Sequence, residues 1–386
     1  MRLTKLFKEF FVSEKAGGLL LIMMTIFSLV FANSVWKDSY INFWDTYIAG
    51  DSIAHWINDG LMTIFFLLVG LELEREFYQG ELSDIKNASF PIFAAIGGMF
   101  VPATLFLIIN FGSGDKSGAG IPMATDIAFA IGILSLLGNR VPGSLKVFLT
   151  ALAIIDDLGA IIIIAVFYTA SLSFSNLFIA LAIFGILIIL NRIKVYSLIP
   201  YIIGGIAMWY FMLHSGVHAT ITGILLAFAI PYSREEEKSP SLILQHHLHK
   251  PVAFVILPLF ALANTSIAFG ENWISGLGQT NSLGIMAGLI IGKPVGIFLF
   301  SFIGVALGLC VLPEDLKWGN IIGVGFLGGI GFTMSIFITI LAFNDSAIIS
   351  MSKIAIIFAS VIAGITGYIL LKRTLKEPVI KEDDGN

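Results

Sequence analysis

The sequence predicts an all-α polytopic membrane protein of about twelve transmembrane helices, on three observations. Hydrophobic residues make up 57% of the 386-residue chain and charged residues only 12%, where a soluble domain carries about 25% charged. The apolar residues fall in runs of roughly 20, the length of helix that crosses the hydrocarbon layer of a bilayer. Lys and Arg segregate to alternate connections between those runs.

Taken in order, residues 2–14 are amphipathic, with Leu3, Leu6, Phe7, Phe10 and Phe11 at helical spacing and basic residues opposite. That pattern predicts a helix lying in the membrane interface. Spans are expected near 16–34, 56–74, 88–110, 120–138, 145–169, 174–191, 197–213, 217–231, 251–269, 283–308, 319–343 and 352–371. The connection 35–55 is rich in aromatic residues, among them Trp36, Tyr40, Phe43, Trp44 and Tyr47, as expected of an interfacial belt. A short hairpin with a partner-binding role is compatible with it. Residues 232–250 read as the longest cytoplasmic loop, with Glu235 to Glu237 followed by His246, His247 and His249. Residues 374–386 form a charged C-terminal tail.

With these spans, eighteen cations fall on one side of the membrane and only Lys37, Lys116 and Lys353 on the other. Cytoplasmic connections carry the excess of Lys and Arg, so both termini are expected in the cytoplasm. A net charge of −4 leaves no basic field for nucleic acid. The single Cys310 excludes an internal disulfide or a cysteine metal cluster. No cleavable leader is evident, so the first span is expected to stay. No phosphate-binding loop occurs, which argues against ATP as the driving force.

Two spans look broken. The fourth reads G-I-P-M-A-T-D, with Pro122, Thr125 and Asp126, and the eleventh reads G-F-L-G-G-I-G-F-T-M-S, with Gly325, Gly328, Gly329 and Gly331. Proline and clustered glycine at midspan free backbone groups, which is tolerated only where they line protein or a wet cavity. Each broken span is the second of its group, 88–169 or 283–371, and the two groups enter from opposite sides. This is the inverted-topology pattern of secondary transporters, which bind their cargo near the midplane between broken helices.

The span 145–169 contains A-I-I-D-D-L-G-A at Ala153–Ala160. A carboxylate at bilayer depth costs about 2.5–3.5 kcal/mol on insertion scales, and two neighbours repel when both are charged. A span ending near Ala153 would place Asp156 and Asp157 in a loop, but the apolar run Ile161–Val166 opposes that. Lys293, in L-I-I-G-K-P-V-G, lies too deep in span ten to snorkel and needs a carboxylate partner, for which Asp156 is the first candidate. Asp126 and Thr125 serve either as the N-cap of the second half of span four or as walls of an ion site, and the two roles are compatible. Asp59 lies near an interface. His218 reads either as a satisfied packing residue or as a proton carrier. Glu72, Arg75 and Glu76, in G-L-E-L-E-R-E, sit at the cytoplasmic end of span two, where Glu72 and Arg75 are three apart and can pair. They form either a solvated helix end or a charged funnel that responds to pH, as histidines at 246–249 also can. Carboxylates, a hydroxyl and unwound carbonyls are hard oxygen ligands that suit an alkali cation or protons. No cofactor is called for. Competition at one site with alternating access is enough for exchange.

The segments A-I-I-D-D-L-G-A at 153–160, A-T-D-I-A-F-A at 124–130, G-L-I-I-G-K-P at 288–294, G-V-H-A-T at 216–220 and G-G-I-G-F-T-M-S at 328–335 together resemble the NhaA family of bacterial sodium/proton antiporters, over about residues 5–373. That family is itself one of the known examples of the inverted-repeat architecture. The resemblance implies electrogenic export of Na⁺ or Li⁺ against entering protons across the bacterial cytoplasmic membrane. It implies that Asp157 is the principal cation ligand, that Asp156 shares the site and pairs with Lys293, whose proton is among those exchanged, and that Asp126 with Thr125 balances the ends of the crossed broken helices. It further implies activation at alkaline pH through Glu72, Arg75, Glu76, His218, His246 and His249, and a homodimer joined through 35–55. The chain departs from the family's pattern at Gln245, where a glutamate is expected, which bears on the set point of pH activation. Three other classes compete with this reading. An intramembrane aspartyl protease built on Asp126 and Asp156 would lack its G-x-G-D motif and leave Lys293 unexplained. A sodium-coupled solute symporter would want a larger polar cavity, and a channel would not need paired broken helices.

Overall fold

The computed structural model describes residues 5–80, 83–112, 116–168, 172–233, 235, 239–270 and 273–375. Most of the charged tail, Glu236 and Glu237 lie outside them. The described residues are helical apart from one hairpin. Its long helices are α1 (Lys5–Ala32), α3 (Ile53–Tyr78), α4 (Ile85–Ile109), α6 (Gly143–Phe167), α7 (Phe174–Arg192), α10 (Pro240–Asn264), α11 (Thr280–Ala306) and α14 (Ser346–Thr374). Between them lie α2 (Lys37–Trp44), α5 (Ile127–Ser135), α8 (Leu198–Leu213), α9 (Ile221–Ala229), α12 (Trp318–Gly328) and α13 (Phe332–Ala342).

Among the described residues nine segments are long and apolar enough to cross a membrane, and ten when α12 and α13, bent 46° apart, count as one. The sequence led to an expectation of twelve. The two short ones are α8 and α9, with 16 and 9 residues. Gly216, at φ +85°, turns the chain ahead of α9, and Pro231 follows Ile230 to stop it, since a proline cannot continue a helix. Two further differences concern boundaries. The amphipathic start does not form a separate helix, because α1 runs unbroken from Lys5. The expected loop 232–250 ends early at Ser239, whose side chain caps Leu242 N with Pro240 in the first turn. The histidines therefore ride on a helix and not on a loop.

The 35–55 connection does form the short hairpin, β1 (Tyr47–Ile48) against β2 (Asp51–Ser52), with Tyr47 opposite Ser52. Val35, Trp36, Phe43 and Tyr47 are exposed on it, while Tyr40 Oη anchors α2 at 2.9 Å from Ser28 Oγ.

The helices around the candidate site pack through small residues. A side chain on Gly296 of α11 would collide with the Gly97 carbonyl of α4, so these two backbones approach as only glycine permits. Three helices widen to a π-turn, at Trp56–Leu61, Val252–Ile256 and Gly288–Gly292. The last two lie beside Pro251 and Pro294, which lack an N–H for the ordinary ladder, and the third ends at Gly292, immediately before Lys293. Large apolar side chains such as Phe178 and Ile203 point outward, 68% and 63% exposed, as suits a surface solvated by lipid and not by water.

Candidate functional site

The site grows from two helix breaks. In the fourth span a 3-10 segment, Lys116–Met123, contains Pro122 and stops at Ala124 and Thr125, and α5 starts again after Asp126. In the eleventh, α12 stops at Gly328 and α13 starts at Phe332. The breaks meet: Asp126 N donates to the Ile330 carbonyl at 2.6 Å, and Ser335 Oγ donates to the Ile121 carbonyl at 2.7 Å. Each break exposes unpaired N–H groups of a new helix start. Asp126 answers both, with Oδ1 accepting from Phe129 N at 3.0 Å and Oδ2 from Thr333 N at 2.9 Å and from the Thr333 hydroxyl. One buried carboxylate thus neutralises the positive ends of two half-helices. Both of its oxygens are engaged there, Oδ1 by Phe129 and Oδ2 by Thr333. That is not the posture of a catalytic aspartate dyad with Asp156.

Asp156 stands on α6 against the same junction. Lys293 Nζ donates to Asp156 Oδ2 at 2.7 Å and to the Met123 carbonyl at the end of the 3-10 segment. Thr125 Oγ1 lies 2.7 Å from that Asp156 oxygen and 2.9 Å from the Gly328 carbonyl, so its one proton serves either acceptor. Thr125, Asp156 and Lys293 are fully buried, and Asp126 and Asp157 nearly so. Gly98 and Gly328 line the Lys293 stem and leave room for it. A buried ion pair is tolerated only when its remaining hydrogen-bonding capacity is met, and the Met123 carbonyl and Thr125 meet part of it.

The remainder is unmet. Asp156 Oδ1 and Asp157 Oδ1 are buried with no hydrogen-bond partner among the described residues. Such atoms cost a desolvation penalty of about 1–3 kcal/mol, more when charged, and acceptors left bare call for a proton or a cation. Among the described residues no three His, Cys, Asp or Glu side chains converge to chelate a metal. Two bare carboxylate oxygens, a hydroxyl and loosened backbone carbonyls suit a monovalent cation that arrives and leaves.

The second group of expected residues lies at the C-terminal end of α3. Glu72, Glu74 and Glu76 are all buried. Arg75 pairs with Glu76 at 2.9 Å and not with Glu72. The three-residue spacing allowed either, and the carboxylate next to it captured the guanidinium. Glu72 faces His249 of α10, with Oε1 3.7 Å from Nδ1. His246 is exposed on α10 while Gln245 is buried. His218 is apart from this group: its Nε2 lies 2.9 Å from the Tyr168 carbonyl.

Several polar residues here escaped the sequence reading. Glu74 accepts a hydrogen bond from Ser241 at 2.6 Å. Lys353 Nζ reaches Asn264 Oδ1 at 3.3 Å, and Asn264 Nδ2 reaches Asn58 Oδ1 at 2.7 Å. Lys353 belongs to α14, two turns in from Ser346, and not to an external connection. Thr333 was legible only as part of a glycine-rich break. None of these sits in a motif whose spacing singles it out.

The family model described as Na⁺/H⁺ antiporter 1 matches residues 8–371. The chain is similar to the Na⁺/H⁺ antiporter NhaA of Flavobacterium psychrophilum, 67% identical with 99% of each chain covered. It is 60% identical to the protein of that name in Cytophaga hutchinsonii, again over 99% of each, and 48% identical to that of Vibrio campbellii over 97% of each.

Proposed function

This chain belongs to the Na⁺/H⁺ antiporter 1 family, and from that premise we propose that it exports Na⁺ and Li⁺ in electrogenic exchange for protons, which compete with the cation for Asp156 and Asp157. The observation that carries this reading is the buried junction itself. Lys293 and Thr125 share one oxygen of Asp156, while Oδ1 of Asp156 and Oδ1 of Asp157 lie bare beside them.

Charge counting gives the mechanism. With Lys293 protonated and both aspartates ionised, the cluster carries one net negative charge. One cation, or one proton on Asp157, neutralises it, so the two exclude each other. Taking a cation into the pair also weakens the hold of Asp156 on Lys293, which then releases its proton. Each cycle returns more protons than cations, and the membrane potential helps to drive it. Asp126 stays as the counter-charge for the two helix ends and keeps the breaks apart from the transported ion, with Thr125 lining its path.

The architecture around this site completes the proposal. Twelve spans are reached when α8 and α9 are counted with the ten longer crossings. Residues 88–169 and 283–371 form inverted repeats whose second members cross at their breaks, and one repeat moves against the rest to expose the site alternately. Both termini face the cytoplasm, on the charge bias of the connections. The protein sits in the bacterial inner membrane among its lipids as a homodimer joined through the exposed hairpin. Alkaline pH activates it through Glu72, Arg75, Glu76, His246 and His249 at the cytoplasmic mouth, with His218 contributing from the far side. Gln245 sets this chain's activation apart in steepness.

The test is transport. Everted or reconstituted vesicles are acidified, Na⁺, Li⁺ or K⁺ is added in turn, and internal pH is followed between about pH 6.5 and 9, the range over which histidine and perturbed groups titrate. The proposal expects alkalinisation with Na⁺ and Li⁺, none with K⁺, and rates that rise with pH and with a favourable potential. Potential-independent rates would remove the electrogenic reading, and no response to any cation would remove the exchange itself.

A further inference from the structure

We propose that Glu74 is a positioning residue that, by its hydrogen bond from Ser241, holds the N-terminal end of α10 across the cytoplasmic end of α3. It thereby sets the approach of His249 to Glu72. The inference rests on the reading of that mouth as the pH-responsive entrance.

The geometry begins with helix periodicity. Glu72 and Glu74 are two residues apart on α3 and so point about 200° from each other. Both nevertheless meet α10: Glu74 Oε2 accepts from Ser241 Oγ at 2.6 Å, and Glu72 Oε1 faces His249 Nδ1 at 3.7 Å. Ser241 and His249 are separated by eight residues, about 12 Å along a helix. α10 therefore lies across the end of α3, touched by Glu74 near one end and by Glu72 near the other. Two contacts fix the angle of a crossing helix, whereas one leaves it free to pivot.

The Glu74 contact is the firmer of the two. Ser241 is fully buried and Glu74 is 5% exposed, so water competes little for the bond. Ser241 is the second residue of α10, where a carboxylate also meets the positive end of the helix. Its backbone N donates to the Pro231 carbonyl at 3.2 Å, which ties the same corner to the preceding turn. Tyr78, one turn beyond Glu74 on the same face of α3, stacks on Tyr232 with ring centroids 4.8 Å apart. Among the described residues, the charged and titratable groups around this crossing are Glu72, Arg75 and Glu76 on α3, His249 on α10, and Tyr78 with Tyr232 at the corner, while His246, His247 and Lys250 are exposed on α10. Arg75 is taken by Glu76, so Glu74 has a neutral hydroxyl as its partner, as befits a strut.

The experiment uses the full-length protein in liposomes, with spin labels on Phe77→Cys and Ile243→Cys to read the distance between α3 and α10. Ser241→Ala and Glu74→Ala remove the strut, while Ser241→Thr and Glu74→Gln keep a hydroxyl donor and an oxygen acceptor. The alanine variants are expected to broaden the distance distribution and to change the half-saturating Na⁺ near the activation midpoint by about fivefold, the weight of roughly one hydrogen bond, with the maximal rate retained. The Thr and Gln variants are expected to behave as the parent does. Ser241→Ala removes a single oxygen and serves as the test should Glu74→Ala fail to fold. An unchanged distance distribution in Ser241→Ala overturns the proposal, and so does a Glu74→Gln variant that matches Glu74→Ala. His249→Ala is run in parallel. If it leaves the pH profile untouched, the reading of the mouth fails while the distances still judge the strut.

Discussion

The two charged regions of this chain are built in opposite ways. At the helix breaks five polar groups from four spans are locked within hydrogen-bond distance, and Asp156 Oδ2 alone takes both Lys293 and Thr125. At the C-terminal end of α3, Glu72 and His249 stand 3.7 Å apart, with a shorter bond at Glu74 and the pair of Arg75 with Glu76 alongside. The first is a dry cluster in which each member depends on the others. The second is a looser contact between two helices, largely buried but with a longer ion-pair distance. Losing one member of a buried network strands its partners, whereas altering a partly wetted pair shifts a balance. The proposed function gives exchange to the dense region and its control to the loose one.

The contrast can be broken at its strongest point first. Asp157→Asn is expected to reduce cation-dependent proton flux to that of empty vesicles while the protein still inserts and folds. Flux that survives would take Asp157 out of the site. Asp156→Ala comes next, because it leaves Lys293 buried without its carboxylate. A stability loss of about 3–5 kcal/mol is expected in detergent melts. Replacing Asp156 and Lys293 together by neutral polar residues restores part of it, and a double variant as unstable as the single would refute the pairing. Asp126→Ala removes caps from two half-helices, for a loss of about 1–4 kcal/mol, read in the same melts.

The smaller effects sharpen the other side. His249→Ala takes away the imidazole that faces Glu72. It is expected to move the midpoint of the activity–pH curve by about one unit to the alkaline side, with the maximal rate retained. A fall in maximal rate at unchanged midpoint would place His249 in transport and not in control. Replacing residues 45–53 by a short Gly/Ser linker is expected to yield monomers by light scattering in mild detergent, with exchange preserved. Dimers that persist would move the interface elsewhere.

The same contrast explains what was legible in the sequence. The dense site announced itself because ionisable residues are rare inside spans: Asp156, Asp157 and Lys293 each stand in an apolar run, and Pro122 and Gly328–Gly331 mark the breaks. The pairing of Lys293 with Asp156 and the capping by Asp126 then followed from cost and valence. The backbone half of the site did not follow, since the carbonyls of Met123 and Gly328 have no signature in a residue string. The cytoplasmic end was read less well. Charges are ordinary at a helix end, so nothing distinguished Glu74 from Arg75, and the spacing left the partner of Arg75 open. Ser239–Pro240 carried the start signal of a helix, but the glutamates and histidines around it pointed to a loop. The short α8 and α9 were counted as full crossings because apolar length alone does not reveal the turn at Gly216.

The central claim, that cation and proton compete for the bare oxygens of Asp156 and Asp157, is tested most directly by calorimetric titration of the purified protein with Li⁺ or Na⁺ at several pH values in buffers of different ionisation enthalpy, which count protons released per cation bound. The account predicts proton release on binding, an apparent affinity that weakens as pH falls, and no binding in Asp157→Asn. Binding of equal affinity at every pH, without proton release, would contradict it.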